Sequence, residues 1–310
     1  MAYLWFNNVN TGDTDWNNSG NWWDGPQDAD PPPSSGFTPN TNDELTIQTN
    51  CDTNIPTYLS YYITIENGVT FTLLSNSTFI QSGYYIYCNG ILNINSDNTL
   101  NIENLNIFAG GIVGNSGSLV ATVPNNSGTL DNGGACTVYV VSNSGNINNS
   151  NGEGSFTVTT NSGSIVCSSG TIVGNITTNN GTVTNGSVYA GAITTNNGNI
   201  NNVSGAFENN SALTNNGTFT NGAAILTNNA AFTNNGTFNS NSSGTLTNLN
   251  GTFTNNGTTI IGQSSLLNLR PSTSIINNGT FTYGNKYTTR FKGEILPQVP
   301  SSASWGNALL

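Results

Sequence analysis

The amino-acid sequence predicts an all-β protein: a parallel β-helix, or β-solenoid, with a Trp-rich N-terminal segment and a non-repetitive basic C-terminal tail. Three observations predict this fold. Short apolar stretches alternate strictly with polar residues, as in Tyr62-Ile-Thr-Ile65, and strands keep this period of two whereas disordered chains do not. An Asn-Gly-Thr-Phe unit recurs in the last third of the chain. The 310 residues include 58 Asn but only 6% charged residues, so backbone pairing rather than ion pairing must hold the chain together.

Residues 1–44 are predicted to form a cap or small head followed by an extended connector. They contain four of the five tryptophans and seven of the fifteen acidic residues. Their Pro-rich part, between Pro26 and Pro39, is incompatible with a helix or an interior strand. In an extended segment Trp22 and Trp23 point to opposite sides, so we expect one ring to be buried and the other to meet a partner.

Residues 45–283 are predicted to form the repeat domain. Up to about residue 123 the chain reads as short strands with bulky side chains, separated by turn signals such as Glu66-Asn-Gly68. From Gly114 onwards, a template of a turn residue, Gly, a small polar residue and an aliphatic residue or Phe recurs. The candidates for inward-facing residues late in the chain follow one another at intervals of six to eight residues. They are Leu213, Phe219, Ile225, Phe232, Phe238, Leu246, Phe253, Ile260 and Leu267.

Repeats of this kind indicate stacking, because a short strand buries its apolar side chain only against similar neighbours above and below. We expect Phe and aliphatic residues inside, Thr and Ser outside, and asparagine amide ladders along the axis. We expect the Asn-Gly pairs to give the corners a left-handed backbone. A second relation, at 13 residues, aligns Leu213–Ile225 with Leu226–Phe238.

The uneven spacing of the repeats favours an irregular right-handed β-helix over a strict left-handed hexapeptide helix. Two other architectures fit the same pattern. One is a β-sandwich, and the other is an intertwined trimeric fibre in which repeats from three chains share one core.

The charge distribution sets the C-terminal residues 284–310 apart. With 15 acidic and 4 basic residues the formal charge is −11, which argues against nucleic acid as a partner because phosphate binding requires clustered Lys and Arg. All four basic residues lie after residue 269. We expect the tail to dock onto an adjacent subunit, on its acidic segment Asp13 to Glu44. The basic candidates for this contact are Arg270, Lys286, Arg290 and Lys292.

The composition also argues against an enzyme. The chain has no histidine, so Ser-His-Asp and Cys-His sites are excluded, and no Gly-Lys-Ser/Thr motif is present to bind phosphate. A glycan-cleaving site needs paired carboxylates. Among the acids from Asp52 to Glu208, only Asp97 and Glu103 are close enough in sequence to face one another, and we interpret them as solvated turn residues. No cofactor is predicted, although Asp13-Thr-Asp15, or Asp24 with Asp28-Ala-Asp30, offers oxygen ligands for Ca²⁺ as the alternative.

Cysteine and tyrosine each allow a structural and a functional interpretation. The cysteines have no metal-ligand or disulfide spacing, so we interpret them as small buried hydrophobes. The tyrosine clusters are interpreted as packing residues, with a sugar-stacking platform as the alternative. The cysteines are Cys51, Cys88, Cys136 and Cys167, and the tyrosines are Tyr58, Tyr61, Tyr62, Tyr84, Tyr85 and Tyr87.

Trp16-Asn-Asn-Ser-Gly-Asn21-Trp22, the Pro-containing loop after it, Asp43-Glu-Leu-Thr-Ile47 and the later Asn-Gly-Thr units resemble the opening and rungs of β-helical surface proteins. Over about residues 16–281 the chain is similar to phage tail-spike or fibre β-helices and to autotransporter-like adhesins. The resemblance implies an exported protein or a virion part. We expect a virion part assembled in the host cytoplasm, because the sequence shows no signal peptide and no apolar stretch of about 20 residues that would insert into a membrane.

The expected function is that of a non-enzymatic structural virion protein: a fibre, a spike or a capsid-decorating protein. Its expected partners are further copies of itself in a homotrimer and other virion proteins, with a host-surface glycan as a further candidate. One alternative is a secreted bacterial adhesin or surface fibre, located outside the cell or at its surface. A second alternative is a glycan depolymerase spike.

Overall fold

A computed structural model describes residues 3–6, 19–23, 44–53, 62–74, 78–240, 246–262, 266–269 and 274–283. The chain forms two compact units, Met1–Phe156 and Thr157–Leu310. Within the described residues the regular elements are strands, apart from one 3-10 helix at Ser19–Asn21. Both units are parallel β-solenoids, which confirms the predicted fold class.

The first unit winds through alternating long and short strands. From Glu44 onwards, a strand of one sheet, the first sheet, leads through a tight turn into a strand of three or four residues in the second sheet. The strands are β1 (Tyr3–Phe6), β2 (Trp22–Trp23), β3 (Glu44–Ile47), β4 (Cys51–Thr53), β5 (Tyr62–Ile65), β6 (Thr70–Leu73), β7 (Thr78–Cys88), β8 (Ile91–Ile94), β9 (Thr99–Ile107), β10 (Ile112–Asn115), β11 (Ser118–Asn126), β12 (Thr129–Asn132), β13 (Ala135–Asn143), β14 (Asn146–Asn149) and β15 (Glu153–Asn161), within which the division between units falls.

The second unit begins with the same alternation and then changes to three short strands a coil. Its strands are β16 (Ser164–Cys167), β17 (Thr171–Asn179), β18 (Thr182–Asn185), β19 (Val188–Asn196), β20 (Asn199–Asn202), β21 (Ala206–Asn209), β22 (Leu213–Asn215), β23 (Thr218–Asn221), β24 (Ile225–Asn228), β25 (Phe232–Asn234), β26 (Thr237–Ser240), β27 (Leu246–Leu249), β28 (Phe253–Asn255), β29 (Thr258–Ile261), β30 (Leu266–Leu269), β31 (Ile275–Asn277) and β32 (Thr280–Tyr283).

Equivalent strands of successive coils pair in parallel and in register. In the first unit Ser118 lies opposite Ala135 and Thr129 lies opposite Asn146, a coil of 17 residues. In the second unit the coil lengthens from 17 to 19, 21 and 22 residues. The unequal coils explain why no single repeat length is visible in the sequence.

Three strands a coil also account for the six- to eight-residue intervals in the last third. The relation at 13 residues does not describe the stacking, because Leu213 pairs with Phe232 and Leu226 pairs with Phe207. The true neighbour along the axis lies one 19-residue coil away.

The core of the second unit contains most of the inward-facing candidates, and two predictions are wrong. Leu213, Phe219, Phe232, Phe238 and Phe253 are buried, as predicted. The four phenylalanine rings form a chain of edge and tilted contacts with centroids 5.3–6.3 Å apart. The side chains of Leu246 and Leu267 lie outside the described residues.

The two errors have the same cause, a shift by one position in the alternation. Ile225 is 44% exposed and its neighbour Leu226 is buried instead. Ile260 is half-buried, with Thr259 and Ile261 taking the inward positions. In both strands the register with the preceding coil, Phe207 against Leu226 and Phe238 against Thr259, decides the inward side, whereas the sequence offers two adjacent apolar or small residues.

The corner glycines are required for a reason other than the predicted left-handed backbone. Positive φ is found at Gly68, Gly110, Gly170 and Gly205 among the described glycines, so that prediction is right for the pair Asn67-Gly68 and wrong for the ladder corners. At Gly198 an added Cβ would lie 2.1 Å from the carbonyl oxygen of Gly181. The same 2.1 Å contact recurs at Gly217, Gly236 and Gly257. These glycines stack one on another, and only the absence of a side chain lets successive corners approach so closely.

The N-terminal strands extend the first sheet of the first unit. β1 pairs in parallel with β3 as one more rung, and β2 pairs antiparallel with β1. Phe6 packs edge-on against Trp22, with ring centroids 5.2 Å apart. An antiparallel two-residue strand on the outermost rung covers a sheet edge that would otherwise be open to another chain.

Candidate functional site

The most regular feature of the second unit is a column of buried asparagines at the end of the first-sheet strands. Each side chain except that of the last member, Asn277, donates a hydrogen bond from Nδ2 to Oδ1 of the asparagine in the next coil, at 2.7–2.9 Å. The second N–H of several members reaches a backbone carbonyl of the next coil, as from Asn179 to Asn199 at 3.1 Å. We name this column the inner ladder; its members are Asn161, Asn179, Asn196, Asn215, Asn234, Asn255 and Asn277.

A second buried ladder runs along the second sheet. In the first unit it links Asn115, Asn132 and Asn149 at 2.7 Å. In the second unit it links Asn185, Asn202 and Asn221 at 2.7–2.8 Å. Cys167 occupies the same position opposite Asn185, and its thiol reaches the carbonyl of Val188 at 3.5 Å. The thiol therefore contacts the carbonyl that an asparagine would contact at that corner.

The ladders have a fixed polarity and defined starting points. Every amide donates towards the C-terminal coil, so the first member needs a donor that its N-terminal neighbour does not provide. That neighbour is Ile94 for Asn115 and Ile107 for Asn126, and the Oδ1 atoms of both asparagines are buried without a hydrogen-bond partner. The structure therefore tolerates one unsatisfied carbonyl where a ladder begins on an apolar column.

Exposed asparagines form a further ladder with the opposite polarity. In each Asn-Asn-Gly corner the first asparagine is inside and the second is outside. The outer side chains donate back to the preceding coil at 2.8–2.9 Å. The amide dipoles of the two ladders consequently run in opposite directions along the axis. The outer ladder consists of Asn180, Asn197, Asn216, Asn235, Asn256 and Asn278.

An aromatic cluster lies on the outer face of the first unit. Tyr62 and Tyr85 lie opposite one another on β5 and β7, with ring centroids 5.0 Å apart and planes 23° from parallel. Tyr87 and Phe108 continue the cluster with centroids 6.2 Å apart. At 5.0 Å two nearly parallel rings overlap face to face, so the tyrosines pack mainly on each other. This is the packing role predicted for Tyr62, Tyr85 and Tyr87; the side chains of Tyr58, Tyr61 and Tyr84 lie outside the described residues.

The predicted partner-binding tryptophans are both inside. Trp22 is fully buried and Trp23 is 8% exposed, so the expectation that one ring is free is wrong. The two residues are antiparallel partners of Phe6 and Trp5, and the Trp22 ring packs edge-on against Phe6. The other predicted contact residues, Arg270, Lys286, Arg290 and Lys292, lie outside the described residues, so the docking of the tail stays a prediction.

The structure describes the two candidate acids but not the candidate Ca²⁺ ligands. Asp97 is exposed in the turn before β9, and Glu103 is exposed on the outer side of β9. Among the described residues there is no group of three or more His, Cys, Asp or Glu side chains that would hold a metal ion. The Ca²⁺ candidates Asp13-Thr-Asp15, Asp24 and Asp28-Ala-Asp30 lie outside the described residues. No helix of the described residues has the length and apolar character of a membrane span.

The four cysteines are buried and form no disulfide, which confirms their interpretation as small core residues. Desolvation by burial raises the pKa of the Cys88 thiol to about 12, although hydrogen bonds with the backbone of Ile112 and Leu92 oppose this shift. Burial likewise raises the pKa of Cys136 to about 12. Thiols with such pKa values are protonated at neutral pH and unreactive as nucleophiles.

No protein-family model, curated protein sequence or solved structure matches the chain.

Proposed function

We propose that the chain is a non-enzymatic structural protein of a virion, a fibre, spike or capsid-decorating protein that acts by self-assembly and surface attachment. The observation that carries the proposal is the pair of buried asparagine ladders. In these ladders, buried corner positions of successive coils are filled by amides bonded mainly to an asparagine one coil away.

Buried amides rigidify the coils because their geometry is exacting. An unbonded buried amide costs on the order of 1–3 kcal/mol, so each ladder is stable only while every coil keeps the same height and register. Apolar side chains tolerate small shifts, whereas a hydrogen bond of 2.7 Å between side chains does not. A chain built in this way suits a mechanical role better than one that requires a moving active-site loop.

The outer surface of the second unit supports attachment through neutral polar contacts. Thr178, Thr195, Thr214, Thr233 and Thr254 lie in register as one column of half-buried hydroxyls. Such a face offers hydroxyl groups and methyl groups but no charge. A neutral glycan on a host surface is a partner of matching chemistry, and the excess of acidic residues disfavours an anionic one.

The assignment to a virion rests on the resemblance of the Trp-containing opening and the Asn-Gly-Thr units to phage tail-spike and fibre β-helices, which is an analogy of architecture. Assembly as a homotrimer with other virion proteins, in the host cytoplasm, belongs to the same proposal. The secreted adhesin and the depolymerase spike are the competing functions.

The proposal is tested by the mass and activity of the purified chain. Light scattering should give a closed oligomer, and a triple variant, Lys286→Glu with Arg290→Glu and Lys292→Glu, should lower that mass, as should high salt, if the tail docks on an acidic neighbour. A monomer under all conditions would contradict self-assembly, and a variant with unchanged mass would contradict docking of the tail. Release of reducing ends from a host polysaccharide would contradict a non-enzymatic role and support the depolymerase spike.

A further inference from the structure

Thirteen Asn-Gly dipeptides lie in the chain, and this dipeptide undergoes a specific spontaneous reaction. The backbone nitrogen of the glycine attacks Cγ of the asparagine; the new N–Cγ bond closes a succinimide while the Cγ–Nδ2 bond breaks and ammonia leaves with the proton. Water then opens the ring and yields aspartate or isoaspartate. The reaction requires a glycine nitrogen that is free to move and an asparagine side chain that is free to turn back onto it.

At most of these sites the glycine nitrogen is held at the coil corner by a backbone hydrogen bond. Ten of the thirteen glycines donate their N–H to a carbonyl of the preceding coil at 2.7–3.2 Å, as Gly217 does to Asn196 at 3.0 Å. They are Gly90, Gly133, Gly181, Gly186, Gly198, Gly217, Gly222, Gly236, Gly257 and Gly279. At the Asn-Asn-Gly corners the asparagine before the glycine is also held in the outer ladder.

Three of the thirteen glycines have no such bond within the described part of the chain: Gly68, Gly152 and Gly251. Gly152 is buried, with the carbonyl oxygen of Gly134 1.8 Å from the position of a Cβ. Gly251 lies under the carbonyl group of Ala230, whose atoms are 2.5 Å from its Cβ position, and the Asn250 side chain donates to Asn229. Neither backbone has room for the movement that ring closure needs.

Asn67-Gly68 is neither buried nor crowded by a carbonyl of a neighbouring coil. Both residues are exposed in the turn closed by the hydrogen bond from the Val69 N–H to the Glu66 carbonyl, at 3.2 Å. Gly68 has a φ of 77°, and nothing lies within 4 Å of the position of its Cβ. Among the described residues its N–H donates to no carbonyl of a preceding coil, so stacking restrains neither reacting group.

We infer that Asn67 is the site at which the folded protein deamidates, with water as the co-reactant, and that stacking protects the ladder corners. The product places a second carboxylate next to Glu66, whose side chain accepts a hydrogen bond from Gln48. The inference concerns the chemistry of the chain and does not depend on the proposed function.

Peptide mapping by mass spectrometry of the folded full chain, aged in mildly alkaline buffer, tests the inference. We expect the peptide with Asn67 to exchange its side-chain NH₂ for OH at least about tenfold faster than the peptides with Asn216 and Asn235, since a protected site reacts only through local opening. An isoaspartate assay of the same peptides identifies the product. Asn67→Asp serves as the chromatographic reference.

The matched control is the same chain aged in concentrated urea, where all thirteen pairs should react at similar rates because the coils are gone. Asn67→Gln should remove the fast phase of the folded protein and leave the slow phase unchanged. An intact Asn67 in the folded protein, or ladder pairs that react as fast as Asn67, would overturn the inference.

Discussion

The same corner of the coil is filled in two different ways in the two units. In the first unit the column runs through Phe6, Ile47, Ile65, Cys88 and Ile107 before it reaches its first asparagine. In the second unit it consists of the inner ladder alone. An apolar residue is satisfied by any apolar neighbour, whereas a buried amide needs another amide above and below. Amide columns are therefore cooperative along the axis, and apolar columns are not.

The two units also differ in where their clusters of aromatic rings lie. In the first unit the tyrosine cluster lies on the outer face over an aliphatic core that includes Ile63, Ile86 and Leu105. In the second unit the rings lie inside, where Tyr189 stacks on Phe207 with centroids 4.6 Å apart. Burial raises the pKa of the Tyr189 hydroxyl, which donates to the Gly174 carbonyl at 3.1 Å. Amide corners in the second unit thus coexist with a core of large rings.

The largest loss of stability is expected at the closely stacked glycines, which both units contain. Gly134→Ala would place its Cβ 2.2 Å from the Gly117 carbonyl oxygen, and we expect a loss of about 4 kcal/mol or failure to fold. The adjacent Gly133→Ala is the matched control, because its nearest neighbour would be at an ordinary 3.6 Å. Urea unfolding followed by circular dichroism measures both. Equal stabilities would show that the corners can spread.

The next largest loss of stability is expected in the inner ladder and tests the cooperativity of the amide column. Asn215→Ala leaves the Asn196 amide without its acceptor and the Asn234 carbonyl without its donor, so we expect a loss of about 2–4 kcal/mol. Asn216→Ala, one residue later in the exposed outer ladder, should cost less than about 0.5 kcal/mol. The same urea experiment distinguishes them. A small effect at Asn215 would mean that water replaces the missing amide.

A smaller difference separates two substitutions that introduce an amide into the apolar column. Ile65→Asn would place an amide between Ile47 and Cys88, where no side chain of the column accepts its hydrogen bond. Ile107→Asn would supply the donor that Asn126 lacks. We expect Ile107→Asn to be more stable than Ile65→Asn by about 1–3 kcal/mol in thermal or chemical unfolding. The opposite order would refute the polarity of the ladder.

The smallest effect concerns the thiols of the first unit. Because the pKa values of Cys88 and Cys136 are raised from 9.0 to about 12 by burial, unfolded thiols ionise first as pH rises. The associated stability is complete below about pH 8 and declines towards pH 12, with a loss of about 1 kcal/mol per thiol between about pH 8 and 10. Unfolding free energies measured across this window should decline less steeply for a Cys88→Ala, Cys136→Ala double variant, with a remainder from Tyr189. Parallel curves for the two proteins would contradict this assignment.

Sequence reasoning predicted the ladders as a class but not their membership. The doublet before each glycine in Asn215-Asn-Gly217 is visible in the sequence, yet which asparagine turns inwards depends on the strand that precedes it. A strand of inward-facing Leu213 and half-exposed Thr214 places Asn215 inside. The same alternation, applied consistently, would have placed Leu226 inside and Ile225 outside.

The sequence by itself determined what is local: a period of two, turn residues at regular places, a nearly uncharged surface, and hence an all-β stack with small buried thiols. The tertiary structure decided what depends on a residue one coil away. It set the unequal coils, which run from 17 to 23 residues between Glu44 and Asn277, the contact that forbids a side chain at the corner glycines, and the burial of both Trp22 and Trp23. The physical reason is that a strand's alternation is fixed along the chain, whereas height and register are fixed across coils, by hydrogen bonds between residues that the sequence does not place together.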